Sequence, residues 1–202
     1  MRLGDLDVSR ETIDRLEIYE TLLRKWNSKI NLVGRSTLED VWTRHFLDSA
    51  QLFEIAAHPV QHWADLGSGA GFPGMVIAIL ASEKASPGKI TMVESDVRKC
   101  TFLRSVLRET DISATVINER IENVPPLDAN VISARALASL SALFKLALPH
   151  LSSDGQVLFP KGEKWRTEVA DAQSKWQFEH QVVKSRTSDG PVILRATGVA
   201  RV

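Results

Sequence analysis

The chain has 202 residues, of which 44% are hydrophobic and 25% are charged, and its formal net charge is zero. These values are typical of one folded domain of ordinary size. They exclude a protein that binds nucleic acid through a strongly basic overall charge, so any polyanionic partner must be held by a local patch. The single cysteine, Cys100, excludes a disulfide framework and a zinc site built from cysteines.

The distribution of apolar residues points to a protein of the cytoplasm. The longest apolar run, residues 75–81, is too short for a membrane span, and the first residues lack the apolar core of a signal peptide. We therefore expect a cytoplasmic protein without a membrane partner. The five histidines have no metal-ligand spacing, so no metal is expected. We expect a monomer.

The first part of the chain predicts a helical cap over residues 1–58. Apolar residues recur at steps of three and four over residues 9–30, which is typical of an amphipathic helix. A second helix is predicted over residues 37–55, where Thr37 and Asp40 can form a capping box at its start.

After the cap, short apolar runs alternate with helical stretches. This alternation is typical of a parallel sheet with helices on both faces. Two final strand-like runs joined by "SDG" predict a hairpin, which adds an antiparallel edge. Strands are predicted at 62–66, 89–94, 114–118, 130–134 and 156–161, and helices at 74–81, 96–109, 137–148 and 163–174. The fold class is therefore α/β and Rossmann-like, with the core over residues 59–202 and a single domain over residues 1–202.

The segment "ADLGSGAGFPGMVIAIL" (residues 64–80) runs from a predicted strand through a glycine loop into a predicted helix. A glycine loop in this position is typical of a nucleotide-binding site. Gly67, Gly69 and Gly71 let the backbone turn tightly and approach a ligand. "GAGFPG" matches the dinucleotide fingerprint, and Glu94 stands where a ribose-binding acid belongs. Alternatively, Asp65 precedes a G-x-G-x-G loop, which resembles the loop of S-adenosylmethionine-dependent methyltransferases.

Three features favour S-adenosylmethionine over a dinucleotide. Gly67 already occupies the end of the strand, where a dinucleotide fingerprint would begin. Asp65 suits the cationic amino-acid tail of S-adenosylmethionine and would repel a pyrophosphate. A terminal antiparallel hairpin is common in methyltransferase folds. A nicotinamide-dependent oxidoreductase and a nucleotide-sensing module without chemistry stay as alternatives.

The absence of certain residues excludes some classes of methyl acceptor. Methylation of a pyrimidine carbon requires a cysteine nucleophile near the substrate, and Cys100 is expected to be a small buried residue instead. "SARA" (residues 133–136) stands where methyltransferases of exocyclic amines carry an Asn/Asp-Pro-Pro-aromatic run. A ring nitrogen, a hydroxyl or a small molecule is left as acceptor. A ring nitrogen already carries a lone pair, so no side chain is expected to be an essential general base.

Several motifs together resemble the ribosomal RNA small-subunit methyltransferase G family, also called the glucose-inhibited division protein B family. They occur in order over nearly the whole chain: "KWNSKINL" (25–32), "RHFLDS" (44–49), "DLGSGAGFPG" (65–74), "RIENV" (120–124), "SARALASL" (133–140) and "FPKG" (159–162). The resemblance implies that S-adenosyl-L-methionine is the cofactor and that N7 of guanine 527 in 16S ribosomal RNA is methylated. It implies 16S ribosomal RNA or the small ribosomal subunit as partner. Another RNA or a small molecule stays as an alternative substrate.

The pattern and the resemblance together define candidate site residues. The predicted cofactor contacts are Asp65, Gly67, Gly69, Gly71, Phe72, Glu94, Ile121, Glu122 and Arg135, with Glu94 at the ribose. Arg44, His45 and Asp48 are predicted to share one side of the second helix, and with Arg135 they are candidates for positioning the substrate. The predicted RNA-binding cations are Arg35, Arg44, Lys161, Lys164 and Arg166.

Overall fold

The computed structural model describes residues 1–202. Its centre is a seven-stranded sheet whose strands lie in the order β5-β4-β3-β6-β7-β9-β8, and a two-stranded ribbon of β1 and β2 precedes it. The strands are β1 (Arg2–Leu3), β2 (Leu6–Asp7), β3 (His62–Leu66), β4 (Lys89–Glu94), β5 (Thr115–Asn118), β6 (Ala129–Ser133), β7 (Leu151–Lys161), β8 (Trp176–Lys184) and β9 (Val192–Arg201). Strands β3 to β7 are parallel, whereas β9 is antiparallel to both β7 and β8. The mostly parallel sheet with a terminal antiparallel hairpin confirms the predicted fold class.

The helices cover both faces of this sheet. They are α1 (Arg10–Asn27), α2 (Arg35–Leu38), α3 (Asp48–Ile55), α4 (Gly74–Lys84), α5 (Val97–Thr110), α6 (Leu140–Ala147) and α7 (Trp165–Gln173). A π-helix spans Trp42–Leu47, and short 3-10 helices span Ile121–Asn123 and Leu148–His150. None of the helices combines the length and the apolar composition that crossing a bilayer requires.

The second helix of the cap differs from its prediction. Residues 35–55 form α2, the π-helix and α3 in succession instead of one α-helix. The predicted capping box is absent as well. Thr37 lies inside α2, and its hydroxyl donates to the carbonyl oxygen of Gly34 at 2.8 Å. The wider π-type turn changes which side chains face inward. His45 and Phe46 are both buried while Arg44 is exposed, so Arg44 and His45 do not share one side.

The end of α1 and the start of α6 also differ from their predicted positions, each because of a local contact or turn. Helix α1 ends at Asn27, whose Oδ1 accepts the amide hydrogens of Leu32 and Val33, both at 2.9 Å. This side chain holds the following loop as a turn. Helix α6 begins at Leu140 rather than at 137, because the chain first turns through Ala136, which has a φ of 53°.

Two hydrophobic clusters pack the sheet, and one of them includes the cap. Tyr19 and Phe46 of the cap belong to the same buried cluster as Trp63 and Phe102 of the core. The second cluster lies under α6 and α7, around Phe144. Cap and core therefore bury one common apolar surface, which favours the interpretation of residues 1–202 as a single domain.

Candidate active site

A cavity of about 400 Å³ opens at the carboxyl edge of the parallel strands. Its wall is built by the loops that follow β3, β4, β5 and β6, together with residues 32–33 of the cap. This is the edge at which open α/β sheets bind ligands. Most of the predicted cofactor contacts line it: Gly67, Gly69, Phe72, Glu94, Ile121, Glu122 and Arg135.

The carboxylate of Glu94 is fixed at the end of β4. Its Oε2 accepts the amide hydrogen of Gly69 at 2.8 Å, and its Oε1 accepts that of Asp96 at 2.8 Å. The residue is only 8% exposed. Each carboxylate oxygen has two lone pairs, so one on each oxygen is left for a ligand. Glu94 is therefore a preorganised acceptor that faces the cavity.

Asp65 has a different place from the one predicted, because it does not line the cavity. It is fully buried in β3, beneath the glycine loop (residues 67–73) that follows this strand. Ser133 Oγ donates to its Oδ1 at 2.6 Å, and the amide of Gly74 donates to its Oδ2 at 3.2 Å. Burial raises the pKa of Asp65 to about 6, although these hydrogen bonds oppose the rise. Its visible role is to join the loop to β6, so the predicted direct contact with a cofactor tail is not supported.

Gly71 also lies below the loop rather than in the cavity wall. It has a φ of 94°, and an added Cβ would approach the Cβ of Met75 and the hydroxyl of Tyr19 at 2.8 Å each. Gly71 is thus required by close packing between the loop and the cap. Gly69 is the opposite case, since an added Cβ would meet only the carbonyl oxygen of Gly67, at 3.8 Å. Space is open at Gly69.

A stack of rings supports the loop from the side of the cap. Phe72 stacks on Tyr19, with ring centroids 5.2 Å apart, and on His45, with centroids 4.8 Å apart. The guanidinium of Arg135 lies 5.0 Å from the centroid of Phe72, within the range of a cation–π contact. The hydroxyl of Tyr19 donates to the carbonyl oxygen of Ala70. The cap therefore forms part of the site's foundation.

Arg135 and His45 form one polar cluster at the cavity. The guanidinium is 2.9 Å from His45 Nδ1 and 3.4 Å from Asp48 Oδ2. His45 Nε2 is 2.9 Å from Thr37 Oγ1. Burial, together with the charge of Arg135, lowers the pKa of His45 to about 4. The imidazole is therefore neutral at pH 7, accepts from Arg135 and donates to Thr37. The structure thus brings together three of the positioning candidates, Arg135, His45 and Asp48, whereas the side chain of Arg44 points to solvent.

The prediction that Lys161 offers its charge to RNA is wrong. Its side chain is only 7% exposed, and its Nζ pairs with Glu168 Oε2 at 2.7 Å and donates to the carbonyl oxygen of Ala138 at 3.0 Å. Helix α7 folds back over the end of β7 and supplies the partner. The other predicted RNA-binding cations are exposed: Arg35, Arg44, Lys164 and Arg166. The guanidinium of Arg166 lies 4.4 Å from the ring centroid of Trp165.

Several cavity residues were not predicted from the sequence. Leu32 and Val33 line it because Asn27 turns their loop back toward the sheet. Lys99 and Leu137 line it from the loops and helix starts after β4 and β6. Leu32, Val33 and Leu137 lie inside or beside the quoted motifs, but this does not show where a side chain points, and Lys99 lies outside all of them. No group of three His, Cys, Asp or Glu side chains is placed to hold a metal ion.

Comparison with known proteins places the chain in a family. The family described as "rRNA small subunit methyltransferase G" matches residues 12–191. A "Ribosomal RNA small subunit methyltransferase G" of Ruegeria sp. is 50% identical over 198 residues, which are 98% of this chain and 96% of that protein. A protein of the same name from Paramagnetospirillum magneticum is 46% identical over 194 residues, which are 96% of this chain and 92% of that protein.

Solved structures with little sequence similarity share the fold. The "ribosomal protein L11 methylase" of Lactobacillus delbrueckii subsp. bulgaricus matches with a TM-score of 0.60 at 18% identity, covering 76% of this chain and 78% of that chain. "M. jannaschii TYW2 in complex with AdoMet" matches with a TM-score of 0.59 at 13% identity, covering 87% and 80%. The fold and the long, close sequence matches agree, and the chain belongs to the ribosomal RNA small subunit methyltransferase G family, a family of S-adenosyl-L-methionine-dependent methyltransferases.

Proposed function

We propose that this protein transfers the methyl group of S-adenosyl-L-methionine to N7 of guanine 527 in 16S ribosomal RNA. The observation that carries the proposal is a preorganised carboxylate, Glu94, facing an open glycine position, Gly69, beside a cluster that holds no free base. The names of the relatives support a small-subunit ribosomal RNA as substrate. The choice of guanine 527 and of N7 rests on the resemblance of the motifs.

The residues of the cavity fit the cofactor. Glu94 keeps one lone pair on each oxygen for the hydroxyls of a ribose. The open position at Gly69 lets a ligand approach the backbone closely. Ile121 and Glu122 lie across the cavity, where we place the adenine, and Arg135 lies at the end where cofactor and substrate meet.

Methyl transfer to N7 requires that the base and the methyl group be oriented correctly, and it requires no proton transfer by the protein. The bound cofactor supplies a methyl group on a positively charged sulfur. The bond from guanine N7 to this methyl group would form as the bond from sulfur to the methyl group breaks, leaving a neutral thioether. The protein's own task would be to hold the two groups in line. Neither His45, which is engaged with Arg135 and Thr37, nor Lys161, which is paired with Glu168, is free to act as a base. This chemistry needs neither.

The rate of the chemical step should be nearly independent of pH from about 6.5 to 9. The folded-state pKa of His45 lies at about 4, below its ordinary value of 6.5, so this imidazole is already neutral throughout that window. His45→Ala should slow single-turnover methylation by at most about tenfold, through positioning. Single-turnover rates at saturating cofactor across this range provide the test. A rate that rises tenfold per pH unit would indicate an essential base and overturn a ring-nitrogen acceptor.

The position of the methyl group tests the proposed function directly. The protein would be incubated with labelled S-adenosyl-L-methionine and either naked 16S ribosomal RNA or small subunits that lack this methylation, and the label mapped by nuclease digestion and mass spectrometry. We expect 7-methylguanine at position 527. Label at another nucleotide would contradict the assignment. Cofactor binding without transfer to any RNA would instead favour a nucleotide-sensing module.

The RNA should contact the cations that are exposed: Arg35, Arg44, Lys164 and Arg166. Lys164→Ala should reduce the slope of log affinity against log salt by about one, since one phosphate contact is lost. Lys161→Ala is the matched control. It removes a buried ion pair, so it should lower thermal stability and leave the salt slope unchanged. RNA affinity measured across a salt series tests both, and an unchanged slope in Lys164→Ala would move the RNA surface away from the start of α7. We propose that the protein acts in the cytoplasm, where a ribosomal substrate would be found, and that it acts as a monomer.

A further inference from the structure

The hairpin turn (residues 185–191) between β8 and β9 is fixed to the cap, far along the chain. The amide of Arg186 donates to Gln51 Oε1 at 2.7 Å. Its guanidinium pairs with Glu54 at 2.6 Å and with Asp5 at 2.8 Å. The turn thus rests on α3, the helix that begins with Asp48.

At the same place, the turn contacts the carboxylate of Asp48. Thr187 Oγ1 donates to Asp48 Oδ1 at 3.1 Å, and Ser185 Oγ lies 2.9 Å from Thr187 Oγ1. The other oxygen, Oδ2, is the one that faces Arg135 at 3.4 Å. The side chains of Asp48 and Arg135 are 19% and 18% exposed. One partly desolvated carboxylate is therefore shared between the hairpin turn and the cavity arginine.

We infer that Thr187 is a positioning residue for the cofactor cavity. A carboxylate that is held at one oxygen is restrained about its χ2 torsion. Gln51 Nε2 at 3.4 Å and Ser185 Oγ at 3.5 Å also reach Oδ1, but the hydroxyl of Thr187 makes the shortest contact and so directs Oδ2 toward Arg135. That contact keeps the guanidinium against Phe72 and His45, in the cavity wall. Thr187 lies outside all the motifs that identify the family and makes no contact with the cavity itself. Its effect passes through Asp48.

The inference rests on the proposed contact between Arg135 and the cofactor. It differs from a purely structural role of the turn in what Thr187 should change. If the turn only stabilised the fold, any loosening of it would lower the unfolding temperature and nothing else. If Thr187 orients Asp48, loss of its hydroxyl changes cofactor affinity in a protein that is still folded.

The test compares three variants by calorimetric titration with S-adenosyl-L-methionine and by thermal unfolding. Thr187→Val keeps the shape of the side chain and removes its hydroxyl, and it should weaken binding about three- to tenfold. Thr187→Ser keeps the hydroxyl, so its affinity for the cofactor should stay within about twofold of that of the wild type. Arg186→Gln removes the ion pairs to Glu54 and Asp5 without touching Asp48. It should lower the unfolding temperature and leave the affinity unchanged.

A double-mutant cycle identifies the route. If Thr187 acts through Asp48, adding Thr187→Val to Asp48→Ala should weaken binding no further than Asp48→Ala alone, because the shared carboxylate is already gone. Additive losses would overturn the inference, as would wild-type affinity in Thr187→Val beside a weakened Arg135→Ala. Unchanged affinity in Arg135→Ala would contradict the proposed cofactor contact, and the inference with it.

Discussion

Replacing Glu94 by alanine is expected to weaken the binding of S-adenosyl-L-methionine by about 1.5–3 kcal/mol, which is at least tenfold in affinity. The change removes the acceptor assigned to the ribose hydroxyls. It also releases the amides of Gly69 and Asp96, which now share the two carboxylate oxygens. Titration calorimetry measures the loss, and thermal unfolding of the free protein shows how much of it comes from the loop.

Two further variants test whether the loss of affinity is specific to the carboxylate of Glu94. Glu122→Ala should cost less, because Glu122 is exposed at the cavity rim and holds no backbone amide. Glu94→Gln should not restore full binding, since its NH₂ group would face one of the two backbone N–H groups. Wild-type affinity in Glu94→Ala would show that the ribose lies elsewhere in the cavity.

Gly71→Ala should lower the free energy of unfolding by about 3 kcal/mol. The new methyl group would lie closer to Met75 and Tyr19 than van der Waals contact allows, and the φ of 94° is unfavourable for alanine. For a chain of this length we expect the midpoint of thermal unfolding to fall by roughly 6–12 °C. Differential scanning calorimetry measures it.

Gly69→Ala is the matched partner in the same loop. Its methyl group would enter open space at the cavity, so beyond the strain of its own positive φ it should cost little stability. We expect it to reduce cofactor affinity more than Gly71→Ala reduces it in the folded state. Equal unfolding temperatures for the two variants would contradict the distinction between a packing glycine and a ligand-facing glycine.

The sheet was predictable because its signals are local. Strands β3 and β4 were predicted with their observed bounds, since each is a short buried apolar run between turn residues. The glycine loop and Glu94 followed from the order of strands, because the carboxyl ends of parallel strands meet at one edge. Arg135, which follows β6, lines the same cavity, at the edge of the sheet to which the order of strands assigned the site.

The remaining features depend on contacts between distant residues. The π-helix places His45 against Phe72, and no spacing in "RHFLDS" distinguishes this from an ordinary helix. Lys161 could not be recognised as buried, because its partner Glu168 approaches only after α7 has packed. Asp65 was expected to touch the cofactor, yet it is enclosed by Ser133 and Gly74. In each case tertiary packing decided where a polar side chain points.

The common hydrophobic cluster of cap and core has a consequence for synthesis of the chain. Tyr19 of α1 is completely buried against Phe72 and Phe102, which follow it by more than fifty residues. Most of the stability of such an amphipathic helix comes from the packing of its apolar face rather than from the helix itself. At about 5–20 residues per second, α1 leaves the ribosome on the order of ten seconds before α5 can cover it. During that interval the apolar face of α1 has no partner. The nascent chain also has no cofactor site, because the cavity forms only when the cap has met the loops that follow β3 to β6.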